Sequence, residues 1–125
     1  MLMRYAAHLG GGEGIVWNVG QPPVDGATDF LFMVLVASMV RLGVPLEAAT
    51  RSLSLIAHGL TLALLTVVFY RQAMPAWLAS GAILFVGAGG GLFYAEAFFG
   101  TPLFALLALG AWIAAAHGFS GVCRC

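Results

Sequence analysis

The stretch LSLIAHGLTLALLTVVFY, residues 53–70, runs for eighteen residues without a charged side chain and lies between Arg51 and Arg71. As a helix rising 1.5 Å per residue it would be about 27 Å long, close to the ~30 Å thickness of a bilayer's hydrocarbon core. Tyr70 supplies an aromatic ring at one end, where interfacial aromatics are common. The stretch therefore predicts a transmembrane helix.

The composition of the whole chain supports the same class. Hydrophobic residues make up 62% of the 125 residues and charged residues only 8%, with a mean hydropathy of +1.00. An ordinary soluble domain has roughly 45–50% apolar and about 25% charged residues. The net charge is zero and all five basic residues are scattered arginines, which excludes a nucleic-acid surface. The partner that this composition predicts is the lipid bilayer.

Two further apolar segments, residues 76–94 and 102–117, are predicted to be transmembrane helices. Residues 30–44 are different, because Arg41 closes their apolar run after eleven residues. That length reaches only part of the way across a bilayer, so an interfacial or re-entrant helix is predicted there. Residues 1–29 are predicted to be a polar loop. The predicted fold is an all-α membrane protein with this loop, one short helix and about three transmembrane helices.

The polar loop contains the passage GIVWNVGQPPVDGATD, residues 14–29. Its prolines and glycines prevent a continuous helix, so its backbone must form turns or contact water. Asp25 and Asp29 could act as a general base, bind a metal or stay solvated. Asp29 could instead cap the helix that starts at Phe30.

Polar side chains within the apolar segments are candidates for function. Glu96 lies between two predicted spans, where it could serve a site or simply reach the interface. Thr50, Ser54, His58 and Thr61 recur at four, four and three residues, so they share one helix face that should point into a bundle or cavity. His58 could bind a ligand or relay protons, and the alternative is a buried histidine hydrogen-bonded to a neighbouring helix.

Other motifs indicate packing rather than chemistry. Gly87 and Gly91 form a G-x-x-x-G pair, which favours close contact with partner helices. Cys123 and Cys125 form a C-R-C pattern that matches no standard zinc or redox spacing. His8 has no partner within motif distance. No ligand spacing indicates a metal, and no nucleophile elbow or dinucleotide motif is present.

Four strings carry a resemblance to a known superfamily. RYA (residues 4–6), GIVWN (14–18) and PVDGAT (23–28), followed by the apolar start of residues 30–44, resemble the first extracytoplasmic loop of GT-C-fold membrane glycosyltransferases. GTPLFAL (residues 100–106) resembles the start of a later span in these enzymes. The superfamily includes protein O-mannosyltransferases, aminoarabinose transferases and arabinofuranosyltransferases.

The resemblance implies transfer of a sugar, with inversion, from a polyprenyl-phosphate donor to an acceptor outside a bacterial-type cytoplasmic (inner) membrane. It implies a multi-pass chain whose polar loop is extracytoplasmic. A divalent metal is compatible with such a reaction. Glu96 is the tentative catalytic residue. The residues implied in substrate binding are Arg4, Tyr5, Asn18, Asp25, Thr28, Asp29 and Arg51.

Two departures from the family pattern affect the expected activity. The family's catalytic aspartate belongs to an acidic pair just before R-Y-A, whereas this sequence begins three residues before Arg4. The acid of the family's G-M-E-T motif aligns with Gly100, so Glu96, one helical turn earlier, would have to replace it. We therefore expect a fragment that is inactive alone. The alternatives are a small membrane interaction or assembly protein and, less well supported, a transporter.

Overall fold

The computed structural model describes residues 2–22, 29–89, 92–93 and 100–122, with side chains as far as residue 116. Within these residues there is no strand, and the chain forms five α-helices. They are α1 (Leu2–Gly10), α2 (Phe30–Arg41), α3 (Leu46–Arg71), α4 (Ala76–Ala88) and α5 (Thr101–Val122). The prediction of an all-α protein is confirmed for the part of the chain that the structure describes.

The central helix is longer than predicted. α3 begins at Leu46 rather than at residue 53, so the prediction that Arg51 flanks the helix is wrong. Pro45 precedes the first turn, where a missing N–H costs nothing, and its carbonyl accepts the Ala49 N–H at 2.9 Å. Glu47 lies in that first turn, where a negative charge is favourable. Charged residues are therefore compatible with this helix start.

The other predicted boundaries also shift. The apolar segment 30–44 becomes α2, which ends at Arg41. The segment 76–94 becomes α4, which ends at Ala88 with Gly89 as its C-cap, and the segment 102–117 lies within α5. The predicted polar loop, residues 1–29, is not loop throughout, because its start forms α1.

One helix in the described residues is long and apolar enough to cross a membrane. α3 has 26 residues and a mean hydropathy of 2.0 over its most apolar window, of which 22% is buried. At 1.5 Å per residue it is about 39 Å long, which exceeds a ~30 Å hydrocarbon core. The shorter apolar helices are Phe30–Arg41, Ala76–Ala88 and Thr101–Ala116.

The chain divides into two compact units, the first of which is Met1–Leu53. In this unit α1 packs against α2. Four residues of α2 share one buried face: Phe32, Met33, Val36 and Ala37. Gly10 makes the close approach possible, because a Cβ there would lie 2.9 Å from Val40 Cγ1 and 3.1 Å from the Ala37 carbonyl oxygen.

The second unit is Ser54–Cys125. Its buried residues on α3 are Ser54, Ala57, His58 and Thr61. α4 has no buried residue although it contains no charged side chain. Gly87 of α4 approaches α3, since a Cβ there would be 3.4 Å from Leu62 Cδ1. The apolar surface of α4 thus needs lipid or another helix to cover it.

α2 and α3 end in the same type of turn. In RLGVP (residues 41–45) the N–H of Val44 donates to Met39 and that of Gly43 to Val40. In RQAMP (residues 71–75) the equivalent bonds join Met74 to Phe69 and Ala73 to Tyr70. These pairs define Schellman motifs, each with a left-handed residue: Gly43 at φ +91° and Ala73 at φ +51°. Each helix therefore ends with its last carbonyls bonded, just before a proline.

Candidate functional site

Two residues of the RYA string, Arg4 and Tyr5, lie on α1 together with His8. Arg4, Tyr5 and His8 lie at positions i, i+1 and i+4 of that helix, so they lie along one side of it. The segment that follows α1 returns along this side and contacts all three residues. Tyr5 is buried and Arg4 is exposed.

Glycines allow the chain to reverse after α1. The N–H of Glu13 donates to the His8 carbonyl at 2.9 Å, and that of Gly12 donates to Leu9 at 3.2 Å. This is a Schellman motif with Gly12 at φ +84°. Gly14 also adopts φ +84°, which a side chain would disfavour. The reversal brings residues 16–18 back to α1.

His8 holds the returning segment in place. Its Nδ1 lies 2.9 Å from the backbone oxygen of Val16. A carbonyl oxygen can only accept, so Nδ1 carries the hydrogen and donates it. Val16 is itself buried. His8 therefore has a structural partner that motif spacing does not reveal.

Trp17 lies against both Arg4 and Tyr5. The Arg4 Cζ is 4.7 Å from the centroid of the Trp17 ring, which is cation–π geometry. The Tyr5 and Trp17 rings are 5.6 Å apart between centroids and inclined by 57°. The indole thus contacts the Arg4 guanidinium on one side and the Tyr5 ring on another.

Asn18 completes the cluster. Its Oδ1 accepts a hydrogen bond from Arg4 Nη2 at 2.9 Å, and its Nδ2 donates to Gln21 Oε1 at 3.2 Å. The N–H of Gln21 donates to the Asn18 carbonyl at 3.1 Å, closing a turn in which Gly20 adopts φ +85°. Both ends of the Asn18 amide have partners, so its orientation is determined.

We call Arg4, Tyr5, Trp17 and Asn18 the arginine cluster. Among the described residues no carboxylate forms an ion pair with Arg4, and its one hydrogen bond uses a single N–H of five. A guanidinium that is oriented but not neutralised is suited to bidentate contact with phosphate or carboxylate. The cluster can therefore bind an anion at the surface of the first unit.

The structure brings only some of the predicted site residues together. Arg4, Tyr5 and Asn18 join in the arginine cluster. Asp29 lies at the N-cap of α2, but its side chain makes no capping hydrogen bond, so the cap prediction is wrong in this respect. Arg51 lies within α3 and is exposed.

Three of the predicted residues, Asp25, Thr28 and Glu96, lie outside the described residues. The G-x-x-x-G pair is described only at Gly87, and the two cysteines also lie outside. Within the described ranges no three His, Cys, Asp or Glu side chains are grouped to hold a metal ion. No metal ligand is assigned to any of these residues.

Sequence reasoning missed three members of the site. Trp17, Gln21 and His8 were not predicted as site residues, although Trp17 contacts Arg4, Gln21 bonds to Asn18, and His8 holds the returning segment through Val16. One signal was available, because Arg4 and His8 are four residues apart and therefore share a helix side. The partners of both residues depend on a chain reversal that spacing alone does not predict.

The polar stripe on α3 is buried as predicted. Thr50, Ser54, His58 and Thr61 are each at most 8% exposed. Thr50 and Thr61 donate to backbone carbonyls within the helix. The predicted hydrogen bond from His58 to a neighbouring helix is absent at Nε2, which has no partner among the described residues, and Ser54 Oγ also has none. The stripe is a buried face with two unsatisfied polar atoms.

The chain was also compared with known proteins. No family model, no curated protein and no solved structure matches it. In the part of the chain that the structure describes, the fold and the site are those of an all-α protein with one candidate membrane-spanning helix and an exposed arginine held by Trp17 and Asn18.

Proposed function

We propose that the chain belongs to a GT-C-like membrane glycosyltransferase and that its arginine cluster binds the phosphate of a polyprenyl-phosphate sugar donor. One observation carries the proposal. The two resembling strings RYA and GIVWN are separated in sequence, yet Arg4 of one is hydrogen-bonded to Asn18 and lies over the Trp17 ring of the other. Contact between the two strings is what a shared substrate site requires.

The chemistry of such a transfer gives Arg4 its role. The acceptor oxygen attacks the anomeric carbon, the bond from that carbon to the phosphate oxygen breaks, and polyprenyl phosphate leaves with the electron pair. A guanidinium on the phosphate stabilises the charge that develops there. A carboxylate takes the acceptor's proton, and Glu96 is the candidate that the resemblance offers. Asp25, Thr28, Asp29 and Arg51 are proposed as further substrate contacts.

The proposal includes a multi-pass topology in a bacterial-type cytoplasmic membrane, with the residues before α2 extracytoplasmic. Its support is the length of α3 and the exposed apolar surface of the shorter helices. On α2, Phe30 and Leu31 are exposed at one end and Arg41 at the other. That pattern suits a helix lying at the membrane surface.

Ligand binding at Trp17 tests the phosphate site directly. The double variant Trp77→Phe, Trp112→Phe leaves Trp17 as the only tryptophan. In nanodiscs, we expect a polyprenyl phosphate to change Trp17 emission and the matching polyprenol to have little effect. Arg4→Gln should weaken phosphate binding by roughly tenfold or more, since a hydrogen bond to a charged group contributes about 1.5–3 kcal/mol.

A matched control is Arg41→Gln, which removes another exposed arginine from the same unit. It should leave the titration unchanged. Equal binding of the phosphate and the alcohol, or undiminished binding by Arg4→Gln, would remove the donor-site role from the cluster. Sugar transfer itself is tested separately, by turnover of a lipid-linked sugar with Glu96→Gln in a longer reading frame.

One observation favours the second candidate function, a small membrane interaction protein. α4 is apolar on every side and buries none of its residues, with Trp77, Leu84 and Phe85 strongly exposed. A partner helix could cover this surface. If the chain self-associates in nanodiscs and Leu84→Gln abolishes the association while donor phosphates do not bind, the interaction function is favoured over the transferase.

A further inference from the structure

The second unit contains a small cavity where α3 ends. Its volume is about 120 Å³, and the residues that line it are Val68, Arg71, Gln72, Trp112, Ile113 and Ala116. The α5 wall is aromatic and aliphatic, whereas the α3 wall ends in a guanidinium and a carboxamide. Sites for complete small molecules usually measure ~300–1,000 Å³, so this one suits a segment of a flexible chain.

Arg71 gives the cavity its charge. Within residues 54–89, 92–93 and 100–122 it is the only Asp, Glu, Lys or Arg, so no described carboxylate of this unit offsets it. The side chain is exposed and lies in the last turn of α3, the candidate membrane span. An arginine at the end of a span lies at the depth of lipid head groups.

The aromatic residues around Arg71 indicate the same depth. Trp112 lines the cavity and is 55% exposed, and Tyr70 is also largely exposed. Tryptophan and tyrosine concentrate where the hydrocarbon meets the head groups. Val68 and Ile113 then line the part of the cavity that would contact hydrocarbon.

The α3 carbonyls do not compete for Arg71. The N–H groups of Gln72, Ala73 and Met74 donate to the carbonyls of Val68, Tyr70 and Phe69, respectively. These bonds satisfy groups that a basic side chain in the last turn could otherwise bind. Among the described residues Arg71 has no hydrogen bond or ion pair, so its guanidinium donors can contact a ligand.

We infer that this cavity binds an anionic phospholipid, with an acyl chain against Val68, Trp112 and Ile113 and the head-group phosphate on Arg71. Charge complementarity selects the anionic lipid, because the ammonium of a zwitterionic head group would weaken the attraction to Arg71. The inference goes beyond sugar transfer and does not depend on it. It needs only that α3 meets a bilayer.

The first unit contains a similar arrangement of residues. Arg41, in the last turn of α2, lines a groove with Leu9, Val34, Ala37 and Ser38. The following residues form the same Schellman turn and proline. In both units an arginine thus ends an apolar helix at the edge of an apolar groove.

Quenching by brominated lipids tests the site in the full chain. With Trp17→Phe and Trp77→Phe, Trp112 is the only tryptophan. Nanodiscs would contain phosphatidylcholine and phosphatidylglycerol in fixed proportion, with bromine on the acyl chains of one or the other. We expect phosphatidylglycerol to be enriched about fivefold at Trp112, a typical effect of one basic residue near a membrane surface.

Variants distinguish the contribution of the Arg71 charge to lipid enrichment from that of the cavity. Arg71→Gln should abolish the enrichment, Arg71→Lys should retain much of it, and Ala116→Phe, which fills the cavity, should reduce it. Arg41→Gln should leave the Trp112 signal unchanged. A version with Trp77 as the only tryptophan should report no enrichment, because Trp77 lies at the start of α4 and does not line the cavity.

Quenching by brominated phosphatidylcholine and the far-ultraviolet circular dichroism of each variant report insertion and folding. Equal quenching by the two lipids in the parent protein would overturn the inference, as would enrichment that survives Arg71→Gln. Enrichment that survives Ala116→Phe would place the lipid outside the cavity and also overturn it. An absence of quenching by either lipid would contradict membrane contact at this site.

Discussion

Replacing Gly43 with alanine should destabilise the protein, whereas replacing Ala73 with glycine should stabilise it. The two residues occupy the same left-handed position in equivalent turns, with φ +91° at Gly43 and φ +51° at Ala73. An L side chain in this conformation costs about 1–2 kcal/mol. Nothing lies within 4 Å of a Cβ built at Gly43, so the effect there is purely one of backbone conformation.

The net change in the free energy of unfolding also depends on the unfolded chain. Alanine has fewer unfolded conformations than glycine, which stabilises the folded state by about 0.4–1 kcal/mol. Gly43→Ala should therefore lower the free energy of unfolding by about 1 kcal/mol, after this gain is subtracted from a cost near the upper value. Ala73→Gly should raise it by roughly 0.5 kcal/mol, because relief of strain exceeds the entropy loss.

Equilibrium unfolding in mixed micelles, followed by far-ultraviolet circular dichroism, measures both changes. Gly59→Ala and Gly81→Ala are matched controls, since both positions are inside helices and have no atom within 4 Å of a new Cβ. The free energy of unfolding of each control variant should rise by up to about 1 kcal/mol, because alanine has a higher helix propensity than glycine. If Gly43→Ala were as stabilising as these controls, the turn after α2 would not have the conformation described.

Three further substitutions test packing and polar contacts. Gly10→Ala should cost about 1–3 kcal/mol in unfolding free energy, because its Cβ would overlap Val40. Asn18→Ala should lower the free energy of unfolding by about 1 kcal/mol, since two hydrogen bonds that order the arginine cluster are lost. The same loss should shift Trp17 emission to the red, and an unchanged spectrum would count against the cluster. Ser54→Ala should leave the free energy of unfolding unchanged or raise it, because it removes a buried hydroxyl that has no partner among the described residues. A clear loss of stability would show that the hydroxyl does have a partner.

Local patterns in the sequence predicted helices in the regions of α2 to α5 and one buried face, but not α1. The spacing of Thr50, Ser54, His58 and Thr61 fixed that face, because residues three and four apart align on a helix whatever else surrounds it. The short helix at residues 30–44 was predicted from a run of eleven apolar residues that Arg41 closes. These features depend on residues close together in the chain.

One local helix boundary and the features that depend on distant contacts were not predicted. The start of α3 was placed after Arg51, because charge was taken as a boundary, whereas Pro45 and the first helical turn set it. The contacts of Arg4 and His8 need the chain reversal after α1. The glycines allow this reversal, but they do not determine which way the chain turns. Spacing could indicate that Arg4 and His8 share a side, but not that Trp17 would cover it.

The Schellman turn after α3 has a consequence for biosynthesis. All of its hydrogen bonds join residues that are at most five positions apart, the longest running from Met74 to Phe69. The end of α3 is therefore complete once residue 74 has been added to the growing chain, and no later helix has to be synthesised to define it. α3 can thus enter a membrane with its C-terminal boundary already determined by its own sequence.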